Sequence, residues 1–348
     1  MFLFKLNITL LGLLLLLTAC NNGDDHSGAI KTAPVRLTGS TMGTNYTIVL
    51  PTLPETLNSQ EVQTNIDTLL QDINAKMSTY QRDSELSRFN QNSSVDWVDI
   101  SPELFTVIAE ARRISEWSQG AFDVTVGPLV NLWGFGPDLI VTEPPHPSAI
   151  DAVKDYVGYE KLNLRFNSPA IKKDHPQIYV DLSAIAKGYG VDRIADYLET
   201  LNINHYMVDI GGELRVKGHN PRGEAWKIAV EKPISEGRAV QQVLRLEQTG
   251  VATSGDYRNY FEHEGKRYSH TIDPTHYAPI AHDLVSVTVL HPQAMTADAL
   301  ATAFMVLGTE KAFILAEKQQ IAALFLSKTE TGFTQKATTA LQPFLEAK

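Results

Sequence analysis

The sequence predicts an α+β fold, with mixed or antiparallel sheets and interspersed helices. Three observations carry that expectation. Strand-like runs gather in the second half of the chain, and one pair is separated only by Gly211-Gly212, a link short enough to join antiparallel neighbours. Helical stripes fall irregularly among these runs, which argues against a doubly wound parallel sheet. The 348 residues are 43% apolar and 20% charged, the composition of a globular chain able to bury a sizeable core.

The elements follow in order. Residues 1–19 carry Lys5, a leucine-dominated run from Leu10 to Leu17 and a small-residue exit. That pattern is a secretory signal whose apolar core is too short to span a bilayer. Leu17-Thr18-Ala19-Cys20 resembles a bacterial lipobox, so Cys20 is the expected lipidation site and mature N-terminus. Residues 20–34 then form a flexible tether, and residues 35–348 a single domain. Cys20 is the only cysteine, so the domain relies on no disulfide.

Val35–Leu50 reads as a turn-rich start followed by a strand. Ile66, Leu69, Leu70, Ile73 and Met77 make a helical stripe. Ser78–Asn90 is polar and lacks a clear period. Ser101 and Pro102 open a second helix, as cap and first residue, with a stripe of Leu104, Val107, Ile108, Ala111 and Ile114. Gly120–Gly136 reads as a Gly-rich aromatic loop, and Pro137–Ser148 as a proline-rich surface connection.

Farther on, Ile178–Leu182 reads as a strand and Gly188–Leu201 as a helix. Strands are expected over His205–Ile210, Glu213–Lys217, Trp226–Val230, Val240–Leu246 and Leu284–His291. Two helices, Thr296–Leu307 and Glu310–Lys318, precede a last strand at Ile321–Leu326.

The net charge of −10 comes with no basic run, so nucleic acid is not an expected partner. An acidic protein that takes a polyanionic ligand needs local cations or a metal. Three segments offer such groups. Thr253–Pro274 alternates as a half-buried hairpin around Glu264-Gly265 and gathers Ser254, Asp256, Arg258, Arg267, His270 and Asp273. This polar density suits an anionic, aromatic ligand, the alternative being a solvated hairpin. On the helix after Met295, Asp298 and Thr302 lie one turn apart. They present two hard oxygens suited to magnesium, or else Asp298 merely favours the positive helix end. Asp181–Tyr189 joins a strand to a helix and could turn Lys187 and backbone groups toward phosphate, although Asp181 could equally be a simple cap.

Together GSTMGTNYTI, MSTYQRDSELSRFN, GAFDVTVGPLVNLWGFG, DLSAIAKGYGVD, VDIGGELRVKG, TSGDYRNYFEHEGKRYSHTIDP and TADALATAFMVLG resemble the ApbE family, in order, over residues 35 to 330. Its members are bacterial lipoproteins that act as FAD:protein FMN transferases. The resemblance implies a flavin cleft between subregions. It implies contacts to FAD, the substrate, from Met42, Tyr80, Ala121, Phe122, Asp123, Asp181, Lys187 and Ile272. Ser254, Gly255, Arg258 and His270 would lie near the pyrophosphate or acceptor. Magnesium would be held by the Ala184 carbonyl and by Asp298 and Thr302. Where the family often has two histidines before Ile-Asp-Pro, this chain has Ser269-His270.

Phosphoryl transfer rests on positioning and charge neutralisation, and an acceptor Thr or Ser hydroxyl calls for a base. His270 suits that role by its intrinsic pKa, with Asp298 as rival. The resemblance further implies acceptors among subunits of membrane redox complexes, such as the sodium-pumping NADH:quinone oxidoreductase and Rnf-type complexes. It places the domain in the periplasm, anchored to the inner membrane through Cys20. Alternatives are an FAD pyrophosphatase giving FMN and AMP, and a non-catalytic FAD-binding lipoprotein. Trp97, Trp117 and Trp226 read as core or edge aromatics, and Trp133 as a flavin cover or as loop packing.

Overall fold

The computed structural model describes residues 33–136, 141, 143–234, 237, 239–257 and 259–346. The signal segment, Cys20, nearly all of the tether, part of the proline-rich connection and Arg258 lie outside the described residues.

Strands β1 (Val35–Thr41) and β2 (Thr44–Leu50) form a hairpin whose turn residues, Met42 and Gly43, both have positive φ. The sequence had suggested only one strand here. Helix α1 (Ser59–Met77) is capped by Asn58 and buries Ile66, Leu70, Ile73 and Met77 of the expected stripe together with Val62, while Leu69 is half-buried. Helix α2 (Glu85–Gln91) occupies the stretch that showed no period, because two turns are too few to establish one. After β3 (Val98–Asp99), α3 (Pro102–Trp117) starts as expected, with Ser101 Oγ accepting from the Leu104 N–H at 3.3 Å.

The glycine-rich stretch is not all loop: it holds a 3-10 turn and α4 (Gly127–Leu132). Helix α5 (Pro147–Val153) precedes β4 (Leu162–Arg165) and β5 (Ala170–Lys173), which complete a small sheet with β3. Residues 178–182 form no strand, contrary to expectation. Instead the Val180 N–H and carbonyl both pair with the Asn90 carboxamide, at 2.8 and 2.9 Å. A side chain thus supplies the bonds that a neighbouring strand would have given.

Helix α6 (Ala186–Thr200) leads into β6 (Tyr206–Ile210) and β7 (Glu213–Lys217), joined at Gly211-Gly212. Next come β8 (Trp226–Glu231), β9 (Val240–Leu246) and β10 (Gln248–Gly255). The predicted hairpin is β11 (Tyr260–His263) and β12 (Lys266–Ser269), turning at Glu264-Gly265 with positive φ at both. Strands β13 (Ile272–Asp273), β14 (Ala278–Pro279) and β15 (Leu284–His291) precede α7 (Ala294–Lys318), and β16 (Ala322–Thr329) and β17 (Gly332–Ala337) follow it.

The main sheet has eight strands in the order β1-β2-β6-β7-β10-β15-β16-β17, each neighbouring pair antiparallel. It is covered on both faces. Along β16, Ala323 and Phe325 join the cluster made with α3 and α7, whereas Leu324 and Leu326 join the cluster beneath β8 and β9. The period of two thereby serves two cores. The two helices expected near the C-terminus are both present within α7 and meet at Gly308, where φ is 74° and ψ 168°. Helix α7 is long and apolar enough to cross a bilayer, but Ala297, Ala301 and Phe304 are fully buried in the protein core.

Candidate active site

The site begins where α6 and α7 touch. A Cβ on Gly188 would lie 2.4 Å from the Ala294 carbonyl oxygen, so only glycine permits this approach. Asp192 of α6 accepts from the Ala294 and Met295 N–H groups at 3.0 and 2.9 Å, and pairs with Arg215 at 3.1 Å. The α7 N-terminus is thus capped from a neighbouring helix, while its own Gln293 makes no side-chain cap.

This docking sets Asp298 against the start of α6, where Oδ2 accepts from the Gly188 N–H at 3.1 Å. In a regular helix that N–H would close onto the Ala184 carbonyl. It is diverted, and no other backbone N–H among the described residues replaces it. Ala184, Asp298 and Thr302 line one cavity. Thr302 Oγ1 lies 3.2 Å from Ser254 Oγ at the end of β10. A carbonyl, a carboxylate and a hydroxyl are hard oxygens, and this donor set fits magnesium.

The cavity measures about 440 Å³, and Lys187 lines it. Its Nζ lies 2.9 Å from Glu213 Oε2, out of line for a directed hydrogen bond, and 3.8 Å from Asp298 Oδ1. Burial opposes the ammonium charge, but the Asp298 and Glu213 carboxylates outweigh it and raise the Lys187 pKa. Burial raises the pKa of both carboxylates, and Lys187 pulls each back. Glu213 escaped the sequence reading, since it stands as the first residue of an ordinary strand. Its place in the VDIGGELRVKG motif, directly after the Gly211-Gly212 turn, was the available signal.

Tyr80, Ala121, Phe122, Asp123, Asp181, Ser254, Gly255, His270 and Ile272 also line this cavity. Asp123 is a buried hub: it accepts from the Thr125 N–H and hydroxyl at 2.7 Å each and from the Tyr159 N–H at 2.8 Å. Burial still dominates and pushes its pKa up to about 6. Asp181 Oδ1 accepts from the Ser183 N–H at 2.8 Å. Met42 does not line this space. It borders a second cavity of about 710 Å³, which shares Tyr80, Ser183 and Lys187 with the first.

His270 sits just beyond β12. Its Nδ1 lies 3.0 Å from the Asn259 carbonyl, which can only accept, so Nδ1 carries the proton and Nε2 keeps its lone pair. Burial lowers the His270 pKa, and the nearby Lys187 and Arg267 charges act in the same direction. Ser269, directly before His270, is buried and its Oγ accepts from the Thr271 N–H at 3.2 Å. Trp133 is loop packing: it is buried, stacks on Tyr268 and donates to the Tyr277 carbonyl at 3.2 Å.

Fold and site define an α+β protein whose cavity joins a lysine, buried carboxylates, hard oxygen donors and an imidazole, a setting for a large anionic ligand. The sequence pattern of the ApbE family matches residues 42–325. A Vibrio cholerae protein called FAD:protein FMN transferase is 48% identical over 95% of this chain and 96% of its own length. A Haemophilus influenzae protein of the same name is 48% identical over 91% and 93%. Among solved structures, the flavin transferase ApbE from Vibrio cholerae superposes with a TM-score of 0.84 at 48% identity, covering 90% of this chain and 99% of that one. The apo flavinyl transferase ApbE of Pseudomonas stutzeri gives 0.83 at 36% identity, covering 91% and 98%. The chain belongs to the ApbE family.

Proposed function

We propose that this protein is an FAD:protein FMN transferase that moves the FMN half of FAD to a Thr or Ser hydroxyl of another protein and releases AMP. The supporting observation is the meeting, in the lining of one cavity, of Lys187, His270, Ala184, Asp298 and Thr302. The acceptor oxygen attacks the phosphorus of the FMN half, and the pyrophosphate P–O bond to AMP breaks. The hydroxyl proton goes to Nε2 of His270, which is oriented for it by the Asn259 carbonyl. Lys187, held by two carboxylates, offsets phosphate charge that an acidic protein would otherwise repel. Ala184, Asp298 and Thr302 would hold magnesium, which when bound supplies Lewis-acid neutralisation of the pyrophosphate. Tyr80, Phe122 and Ile272 give the wall apolar surface suited to an isoalloxazine ring.

Acceptors are flavin-carrying subunits of membrane redox complexes of the sodium-pumping NADH:quinone oxidoreductase and Rnf types. The domain works in the periplasm, tethered to the inner membrane by lipidated Cys20. Both statements rest on the sequence motifs and on family membership.

Incubation of the purified protein with FAD, magnesium and a candidate acceptor domain tests the reading. A mass gain of one FMN on the acceptor with matching AMP release is expected, and both are lost in Asp298→Ala. AMP and free FMN without acceptor modification would point to a pyrophosphatase. Intact FAD would leave a binding protein.

A further inference from the structure

The two walls of the cavity that carry Tyr80 and Asp181 come from segments a hundred residues apart, yet one short helix ties them together. At its start, Ser84 caps α2 and sends its hydroxyl to the Ser78 carbonyl at 2.5 Å, and Ser87 Oγ reaches the same carbonyl at 3.0 Å. Ser78 Oγ in turn accepts from the Tyr80 and Gln81 N–H groups at 3.1 and 3.2 Å. The Tyr80 loop is thereby pinned to the first turn of α2. At the other end, the Asn90 carboxamide pairs on both sides with the backbone of Val180. The next N–H, that of Asp181, donates to the Val124 carbonyl at 2.7 Å, and Asp181 then fixes Ser183 just before Ala184.

The Asn90 end is itself locked. Lys173, 1% exposed, sends its ammonium to the carbonyls of Asn92 at 2.6 Å and of Asn90 and Pro176 at 3.3 Å each. It also lies 4.9 Å from the Phe89 ring centroid. The last carbonyls of a helix lack intrahelical partners, and a cation there complements both them and the dipole. Leu86 and Phe89 bury the remaining face of α2, so the helix is a strut fixed at both ends.

We propose that Asn90 is a positioning residue for the flavin site. Its carboxamide, locked by Lys173 and paired with Val180, sets the spacing between the Tyr80 wall and the Asp181–Ala184 wall. The inference rests on the FMN-transferase reading above. A residue that only stabilised the core would change unfolding but not ligand affinity. A residue that spaces two walls changes the fit of FAD, and lost binding that is equal in ground and transition states shows in KM and Kd rather than in kcat.

The test uses the full-length protein and its Asn90→Ala, Asn90→Asp and Lys173→Met variants. FAD affinity is measured by flavin fluorescence anisotropy with and without magnesium, FMN transfer gives kcat and KM, and thermal midpoints are recorded alongside. Asn90→Ala is expected to raise KM and Kd for FAD on the order of tenfold while kcat stays within about threefold. Asn90→Asp keeps the acceptor for the Val180 N–H and loses the donor, so it should fall between. Lys173→Met should weaken FAD binding in the same direction. Wild-type KM and Kd in folded Asn90 variants, with only a lowered midpoint, would overturn the proposal. Should Asn90→Ala not fold, Asn90→Asp and hydrogen exchange of the wild type decide. The Val180 amide should be as protected as those of the main sheet, and exchange at loop rates would refute the clamp. A wild type that binds FAD but transfers no FMN would sink the transferase reading alone, because affinity and exchange remain readable.

Discussion

His270 and Asp123 show how burial shapes single residues of this site. Because the His270 pKa is lowered, the neutral imidazole persists below the ordinary histidine range. The acid limb of the transfer rate should therefore lie below that range. His270→Asn should slow transfer by about a hundredfold or more while FAD affinity stays within about twofold. An unchanged rate would remove His270 as base. Asp123 behaves in the opposite sense. Its folded pKa of about 6 lies above the ordinary carboxylate value, so the folded state binds the proton more tightly. Its stabilising contribution is complete below about pH 4 and is lost as pH rises through about 6. At roughly 1.4 kcal/mol per pKa unit, that loss is at most about 3 kcal/mol. Asp123→Asn should flatten this segment of the stability–pH curve in denaturant titrations without ligand. A curve parallel to wild type would contradict the assignment.

At the scale of elements, the contact of α6 with α7 decides where the oxygens of Asp298 and Thr302 stand. Gly188 is the closest point of approach and Asp192 the cap that holds it. Gly188→Ala drives a methyl group into the backbone of the partner helix. A cost of about 1–3 kcal/mol is expected from overpacking, read as a lower urea midpoint. Separation of the helices also loosens the Gly188–Asp298 hydrogen bond, so more magnesium should be needed for half-maximal transfer. A variant with lower stability but an unchanged magnesium requirement would show that the contact serves the core alone.

The whole molecule combines a net negative charge with a cavity in which Lys187 stands between the Glu213 and Asp298 carboxylates. A net charge of −10 repels FAD at long range, and the Lys187 cluster must compensate locally. The tether proposed at Cys20 is also tested at the scale of the whole chain. Cys20→Ser should shift the protein from the membrane to the soluble fraction on cell fractionation, since one thioether-linked anchor would be lost. FMN transfer by the purified variant should remain within about twofold of wild type. Retention in the membrane fraction would show that something other than Cys20 holds it there.

The amino-acid sequence by itself determined the elements with long or well-punctuated patterns. The stripe of α1, the Ser101-Pro102 start of α3 and the Gly211-Gly212 turn are local signals, and local physics was enough to read them. The residues singled out through the ordered motifs line the cavity where they are described, although Met42 borders the adjoining one and Glu213 and Asn259 were not singled out. Only the tertiary structure decided the rest. Helix α2 was too short to show a period. Residues 178–182 have strand-like composition, but the Asn90 carboxamide takes the place of a neighbouring strand. Glu213 looks like any strand residue until folding sets it 2.9 Å from Lys187, and the Ala184 carbonyl is freed because Asp298, far along the chain, captures the Gly188 N–H. Periodicity and turn chemistry are written over a few adjacent residues. Hydrogen bonds and ion pairs between distant segments exist only once the chain has closed on itself.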